Sequence, residues 1–316
     1  MRERENADRL LAARPVWLIE QASGELEYTI VERDIARFIT NVVSEAKADG
    51  VVLGLSGGID SSVVAALCVK ALGNEKVVGI FMPASFTPFE DQSDARSLAE
   101  NLHISTLLVP MTPIVEKFLE TMPIEKRNRV AIGNVLARMR MIANYYAANS
   151  LNYLVAGTGD RSEILMGYFT KYGDGGADLL PIGHLYKTEV RELAAYLGLP
   201  PKLVNKQSSP QLWEGQKATD EIPVDYPVLD RILRGLFDTN EDAGDIAEAL
   251  SIQLDVVEAV KRAFERSRHK RTVLPMPPRT PADPTNNHVE KEQQPTGTHV
   301  TANSQPSTAD LTGHAS

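Results

Sequence analysis

The run Val51-Val52-Leu53-Gly54-Leu55-Ser56-Gly57-Gly58-Ile59-Asp60-Ser61-Ser62 decides the fold. Val51 to Leu55 is almost continuously apolar and β-branched at its start, the pattern of a strand covered on both faces of a parallel sheet. Val63-Val64-Ala65-Ala66-Leu67, immediately downstream, reads as a helix. Between them Gly57 and Gly58 let the backbone take positive φ and point successive N–H groups into one concavity. The helix behind adds its unpaired N–H groups and the positive end of its dipole, so the turn suits a phosphate. No Walker lysine follows, because Gly-x-x-x-x-Gly-Lys-Ser is absent. The plainer alternative is a tight strand-to-helix turn with a serine cap, in which Asp60 is only a helix-start acid.

Outward from this centre the chain alternates strand and helix. Upstream, Ile35, Phe38, Ile39, Val42, Val43 and Ala46 keep helical spacing and predict an amphipathic helix over 31–48. Downstream, strands are predicted over 77–82, 105–109 and 151–156, with helices over 90–102, 112–121, 134–149 and 187–197. Strand–helix units of about thirty residues imply a parallel sheet with right-handed crossovers. The expected body, residues 1–274, is therefore one α/β domain with a doubly wound, Rossmann-like sheet. Extra C-terminal helices are expected over 229–237, 245–250 and 254–266. Ligands in such folds bind at the carboxyl ends of strands, where the loop after Leu55 lies. Two stretches, 168–178 and 205–226, read as loops. From 275 onward proline, threonine, asparagine and glutamine dominate, so the tail is expected to be disordered.

Composition narrows the partners. Hydrophobic residues make up 43% and charged residues 24% of the 316, ordinary for a soluble domain. A net charge of −9 argues against a chain built to embrace nucleic acid. No stretch is long and apolar enough to span a membrane, and the N-terminus lacks a signal-peptide core. The single cysteine, Cys68, sits among Ala65, Ala66, Leu67 and Val69 and reads as a packed core thiol. One cysteine permits no internal disulfide and suits a reducing, cytoplasmic compartment.

Ser56-Gly57-Gly58-Ile59-Asp60-Ser61 resembles the Ser-Gly-Gly-x-Asp-Ser loop of the ATP pyrophosphatases. That superfamily also includes GMP, asparagine and argininosuccinate synthetases and tRNA-thiolating enzymes. Four further stretches resemble the NAD synthetase family, whose members amidate deamido-NAD. They are Gly133-Asn134-Val135-Leu136-Ala137-Arg138-Met139-Arg140, Gly157-Thr158-Gly159-Asp160-Arg161-Ser162-Glu163, the run from Gly167 to Asp178, and Leu185-Tyr186-Lys187-Thr188-Glu189-Val190-Arg191 with His269-Lys270 far downstream.

The resemblance implies specific roles. Gly54, Leu55, Ser56, Gly57, Gly58, Ile59, Asp60 and Ser61 would line the ATP phosphates, with Thr158, Lys187 and Ser209 completing that site. Asp60 and Glu163 would hold Mg²⁺, a hard ion that takes a few carboxylates plus phosphate oxygens. Arg138, Lys171, Asp178, His269 and Lys270 would contact deamido-NAD. Lys187 and Asp60 would be catalytic, the lysine offsetting charge that gathers on the α-phosphoryl group. Read without the family, Arg138 and Arg140 could form surface ion pairs, Glu163 could be solvated, and His269-Lys270 could be a solvated basic helix end. One departure stands out. Where the family usually has Pro-Ser-Ala-Gly-Leu or Pro-Thr-Ala-Asp-Leu, this chain has Ser208-Ser209-Pro210-Gln211-Leu212.

The implied reaction has two steps. The nicotinate carboxylate attacks the ATP α-phosphorus and expels pyrophosphate, and ammonia then attacks the adenylate to give NAD and AMP. A homodimer is implied as well, with the apolar side of 134–147 as a candidate interface. Only fifty residues precede the phosphate loop, fewer than the ~100 of a typical domain. Free ammonia is thus expected as the nitrogen donor, or a separate glutaminase subunit. Two rivals stay open: a tRNA-thiolating enzyme, which should show paired cysteines and a basic surface, and a nucleotide sensor without catalysis.

Overall fold

The structure is a computed structural model that describes residues 24–124, 128–218, 221–272 and 274–277. Four strands, β1 (Gly50–Gly54), β2 (Val77–Phe81), β3 (Ser105–Leu108) and β4 (Tyr153–Val155), form one parallel sheet in the order β3-β2-β1-β4. Val51 pairs with Val77 on one side and Leu154 on the other, so β1 lies inside the sheet. The chain runs outward through β2 and β3 and then returns past β1 to β4. That reversal opens a crevice at the end of β1, where ligands of such sheets bind.

Helices α1 (Gly24–Glu45), α2 (Ile59–Leu72), α3 (Phe89–Asn101), α4 (Thr112–Thr121) and α5 (Arg129–Leu151) accompany the strands. After β4 come α6 (Arg161–Met166), α7 (Lys187–Tyr196) and α8 (Pro201–Val204), then α9 (Tyr226–Phe237), α10 (Ala243–Leu250), α11 (Leu254–Arg266) and α12 (Arg268–Arg271). Alternate residues of β1 feed different cores. Val51 and Leu53 join Ile39, Leu67 and Leu193 on one face, whereas Val52 joins Ile80, Met111 and Leu136 on the other. Burial on both sides is why the strand is apolar at every position. Helix α2 is buried at Ile59 and throughout from Ser61 to Cys68, as befits a helix that is apolar nearly all round. Each large apolar side chain so enclosed contributes about 1.5–3 kcal/mol. Burial also pushes the Cys68 thiol up to about 12, which leaves it an inert core group. A third cluster, with Leu229, Leu233, Ile246 and Val257, unites the C-terminal helices.

The element boundaries differ from expectation where caps decide them. Helix α1 ends at Glu45, and Lys47 then takes a left-handed φ of 53°. Helix α5 starts at Arg129 rather than 134 because Asn128 caps it, its side chain accepting from Ala131 N at 3.0 Å. Helix α6 lies where no element is predicted, between the strand expected over 151–156 and the loop expected over 168–178. The chain divides into two units, Met1–Thr272 and Val273–Ser316. Residues 274–277 of the second have no regular structure, and the remainder of the tail expected to be disordered lies outside the described residues. Among the described residues no helix is long and apolar enough to cross a membrane.

Candidate active site

Strand β1 ends at Gly54 and the chain turns directly into α2. Gly57 makes the turn at φ +75°, and a Cβ there would stand 2.1 Å from the carbonyl oxygen of Asp91 in α3. Both the conformation and the close approach require glycine. The two serines knit the loop. Ser61 Oγ accepts from Ser56 N (3.3 Å) and donates to Gly58 O (3.1 Å), while Ser56 Oγ accepts from Gly58 N (3.1 Å). Gly58 occupies the N-cap of α2, and among the described residues no side chain makes a capping hydrogen bond there. The first N–H groups and the positive dipole end are thereby left for a ligand.

Beneath this loop lies a buried charge cluster. Lys187, in the first turn of α7, is fully buried and its Nζ meets Asp60 Oδ2 at 2.7 Å, Asp160 Oδ2 at 2.8 Å and Glu163 Oε1 at 3.0 Å. Asp60 comes from the first turn of α2. Asp160 caps α6, accepting from Glu163 N at 2.8 Å, and the Glu163 side chain reaches back to Asp160 N at 3.4 Å. This reciprocal capping box is why 161–166 is helical despite its length. Asp230 of α9 ties the pieces together. It accepts from Ser162 Oγ (2.6 Å) and Thr188 N (2.8 Å), and Ser162 Oγ accepts from Lys187 N (3.0 Å). The Tyr226 ring lies 5.3 Å from the ammonium, and its hydroxyl is buried without a partner among the described residues.

Three carboxyls around one ammonium leave an excess of negative charge in a dry place. Burial pushes Glu163 well above the ordinary carboxylate range and Asp160 up to about 6, against the pull of Lys187. Burial alone would lower Lys187, but Asp160, Asp60 and Glu163 outweigh it and hold the ammonium well above the usual lysine range. Lys187 is therefore a permanent cation. Asp60 Oδ1 is buried with no hydrogen-bond partner among the described residues.

A cavity of about 390 Å³ opens over this floor, within the range of small-molecule sites. Of the sequence-predicted ATP contacts, Gly54, Leu55, Ser56, Asp60, Ser61, Thr158 and Ser209 line it, as does Glu163. Lys187 lies behind Asp60 and Glu163, and Ile59 belongs to the core. Ser209 Oγ donates to Gln216 O at 2.6 Å, an intrasegment bond. The predicted dinucleotide contacts separate. Lys270 lines the cavity and donates to Gly167 O (2.7 Å) and Phe169 O (2.6 Å). Arg138 Nε donates to Lys171 O (3.3 Å), and Lys171 Nζ donates to His269 O (2.6 Å), outside that cavity. Asp178 spends both oxygens on the fold, accepting from Tyr145 OH (3.0 Å) and Val155 N (2.8 Å).

Two groups received no site role from the sequence. Asp160 is the third carboxylate, and its signal was the Asp160-x-x-Glu163 spacing of a capped helix start. Arg140 lines the cavity, donating from Nε to Met82 O at 3.3 Å; burial lowers it to about 10, so it remains charged at neutral pH.

An uncapped glycine turn at the switch point of a parallel sheet, set over a lysine–carboxylate cluster, defines a nucleotide-binding α/β protein. Comparison with known proteins sharpens the class. The sequence profile of the NAD synthase family matches residues 31–274. The NH(3)-dependent NAD(+) synthetase of Pyrobaculum aerophilum is 45% identical over 81% of this chain and 95% of its own. That of Archaeoglobus fulgidus is 47% identical over 78% and 95%. Among solved structures, the NMN synthetase of Francisella tularensis superposes with a TM-score of 0.69 at 33% identity, covering 79% of this chain and 98% of that one. The NH3-dependent NAD synthetase of Campylobacter jejuni gives 0.68 at 30%, covering 79% and 99%. The chain belongs to the NAD synthase family.

Proposed function

We propose that the protein is an ammonia-dependent ligase that converts deamido-NAD⁺, ATP and ammonia to NAD⁺, AMP and pyrophosphate through an adenylate. The observation that carries this reading is Lys187, fully buried behind Asp60 and Glu163, the two acids that border the cavity with the phosphate loop, in a chain 42–47% identical to NH(3)-dependent NAD(+) synthetases. Loop N–H groups and the α2 dipole attract the triphosphate. Lys187, held behind Asp60 and Glu163, offsets their charge beside the place where the triphosphate's negative charge collects, and the nicotinate carboxylate, already ionised at neutral pH, needs no base. Positioning does most of the remaining work.

Mg²⁺ fits the residues present. Among the described residues no three His, Cys, Asp or Glu side chains form a metal site by themselves. Asp60 and Glu163 face the cavity together, and the unpartnered Asp60 Oδ1 offers a hard oxygen, so they would hold the ion jointly with phosphate oxygens. When bound, the ion would neutralise charge on the departing pyrophosphate. Arg138, Lys171, Asp178 and His269 serve deamido-NAD⁺ from outside the main cavity. A homodimer accounts for this, supported by Val130, Ile142 and Tyr146 of α5, which stand 55%, 52% and 76% exposed. A buried, unpaired Cys68 suits the cytoplasm. Residues 1–274 act as the catalytic body.

The test is direct. Purified protein with ATP, Mg²⁺, deamido-NAD⁺ and ammonium chloride should yield NAD⁺, AMP and pyrophosphate in equal amounts. No product from deamido-NAD⁺, with turnover of the corresponding mononucleotide instead, would transfer the assignment to the activity named for the Francisella relative.

A further inference from the structure

Lys206 stands just ahead of the segment that carries Ser209, and its ammonium reaches back across the fold. Nζ donates to Gly57 O at 2.9 Å and to Asp94 Oδ2 at 2.9 Å, and also meets Asp91 Oδ1. Both acids belong to α3 and are buried, the Asp94 side chain keeping 1% of its surface and that of Asp91 9%. Lys202 of α8 takes the other oxygen of Asp94, so two ammonium groups balance two carboxylates. Gly57 O and Gly58 N belong to one planar peptide. Lys206 holds its carbonyl end, and Ser56 Oγ holds its N–H end at 3.1 Å. That peptide forms the turn of the phosphate loop.

Asp91 is engaged three ways. Its carbonyl oxygen is the atom against which Gly57 packs, its Oδ1 meets Lys206, and its Oδ2 accepts from Gln211 Nε2. Gln211 has φ +49°, a left-handed conformation that is costly for a side-chain-bearing residue. Its side-chain bond to Asp91 compensates, and its own N–H donates to Ser209 Oγ at 3.3 Å. The departure at Ser208-Ser209-Pro210-Gln211 is thus an anchored turn rather than a lost contact.

We infer that Lys206 and Gln211 are positioning residues for ATP. Acting through Asp91 and Asp94, they fix the phosphate loop and the Ser209 segment at one spacing across the cavity. This rests on the reading of that cavity as the ATP site. Steady-state pyrophosphate release at varied ATP tests it. Lys206→Met should raise KM for ATP about tenfold, equivalent to about 1.4 kcal/mol, with kcat changed far less. Gln211→Leu should raise KM about threefold, and the double variant should fall short of the product of the two, because both act through one carboxylate. Lys206→Arg should recover most of the affinity. Parent KM values in Lys206→Met and Gln211→Leu, with only a lowered melting temperature, would overturn the inference. If Lys206→Met does not fold, the KM of Gln211→Leu decides alone. If the parent releases no pyrophosphate, the functional reading fails instead, and ATP titration calorimetry on the same variants decides, with equal affinities counting against the coupling.

Discussion

Replacing Lys187 by methionine is the severest test of the buried cluster. The side chain fits the space but removes the cation that, alone among the described residues, touches Asp60, Asp160 and Glu163 at 2.7, 2.8 and 3.0 Å. Exposed ion pairs contribute little, but Lys187 and Asp160 have no exposed surface, so water cannot replace the lost ammonium at Asp160, whereas Asp60 and Glu163 border the cavity. Breaking a buried pair from one side costs about 3–5 kcal/mol, since the stranded partner stays desolvated. A domain of this size loses roughly 2–4 °C of melting temperature per kcal/mol, so the variant should melt about 6–20 °C below the parent at pH 8. Pyrophosphate release should fall by orders of magnitude even at temperatures where the variant is fully folded. Circular dichroism melts paired with the release assay read both effects. A variant with parental melting would refute the claim that the cluster is a desolvated unit. Parental turnover would refute the role of the ammonium.

Three further outcomes follow from the same geometry. Asp60→Asn and Glu163→Gln should each lower turnover at least a hundredfold while leaving melting within a few degrees, and raise the Mg²⁺ needed for half-maximal rate; an unchanged Mg²⁺ dependence removes that residue from the metal site. Gly57→Ala should weaken ATP binding, because its Cβ meets the Asp91 carbonyl 2.1 Å away on a backbone that cannot yield cheaply; parental ATP affinity would show that the loop tolerates another path. Sedimentation at assay concentrations should give a dimer, and a fully active monomer would remove the shared-interface reading.

How much of this was legible beforehand depends on where each signal resides. Strand β1, the glycine turn and α2 were readable because period, glycine placement and all-round apolarity act within twenty residues. The pairing of Asp60 with Glu163 was reachable only through resemblance, since no local rule joins positions so far apart. Lys206 with Asp94 lies equally far off, at a separation of 112, and had no motif to announce it. Asp178 shows a structural role that the sequence did not announce. Its type and motif suggested a ligand contact, and its two oxygens also accept from Tyr145 OH and Val155 N, bonds visible only once β4 is placed. Helix α6 was missed because six residues are too few for periodicity, although its cap was spelled out in Asp160 and Glu163.

Asp160 offers a separate check, because its two oxygens do different things. One caps α6 and the other meets Lys187, so asparagine should keep the cap while discharging the group. Alanine should lose both, with the cap alone contributing about 1 kcal/mol. The pH dependence distinguishes the roles. Burial raises the folded-state value to about 6, above the ordinary carboxyl value near ~4. A group raised in the folded state contributes stability that is full below its unfolded value and is lost as pH rises through the folded one. In the parent, Asp160 should therefore withdraw stability between about pH 4 and 6, on the order of 2–3 kcal/mol for a shift of this size in a fully enclosed group. Asp160→Asn cannot titrate, so its urea-unfolding free energy should run flatter than that of the parent across this window. The two curves should be parallel again above pH 7. Equal slopes from pH 4 to 6 would mean that the excess charge is shed by another member of the cluster, and Glu163 would then be the carboxyl that carries the proton.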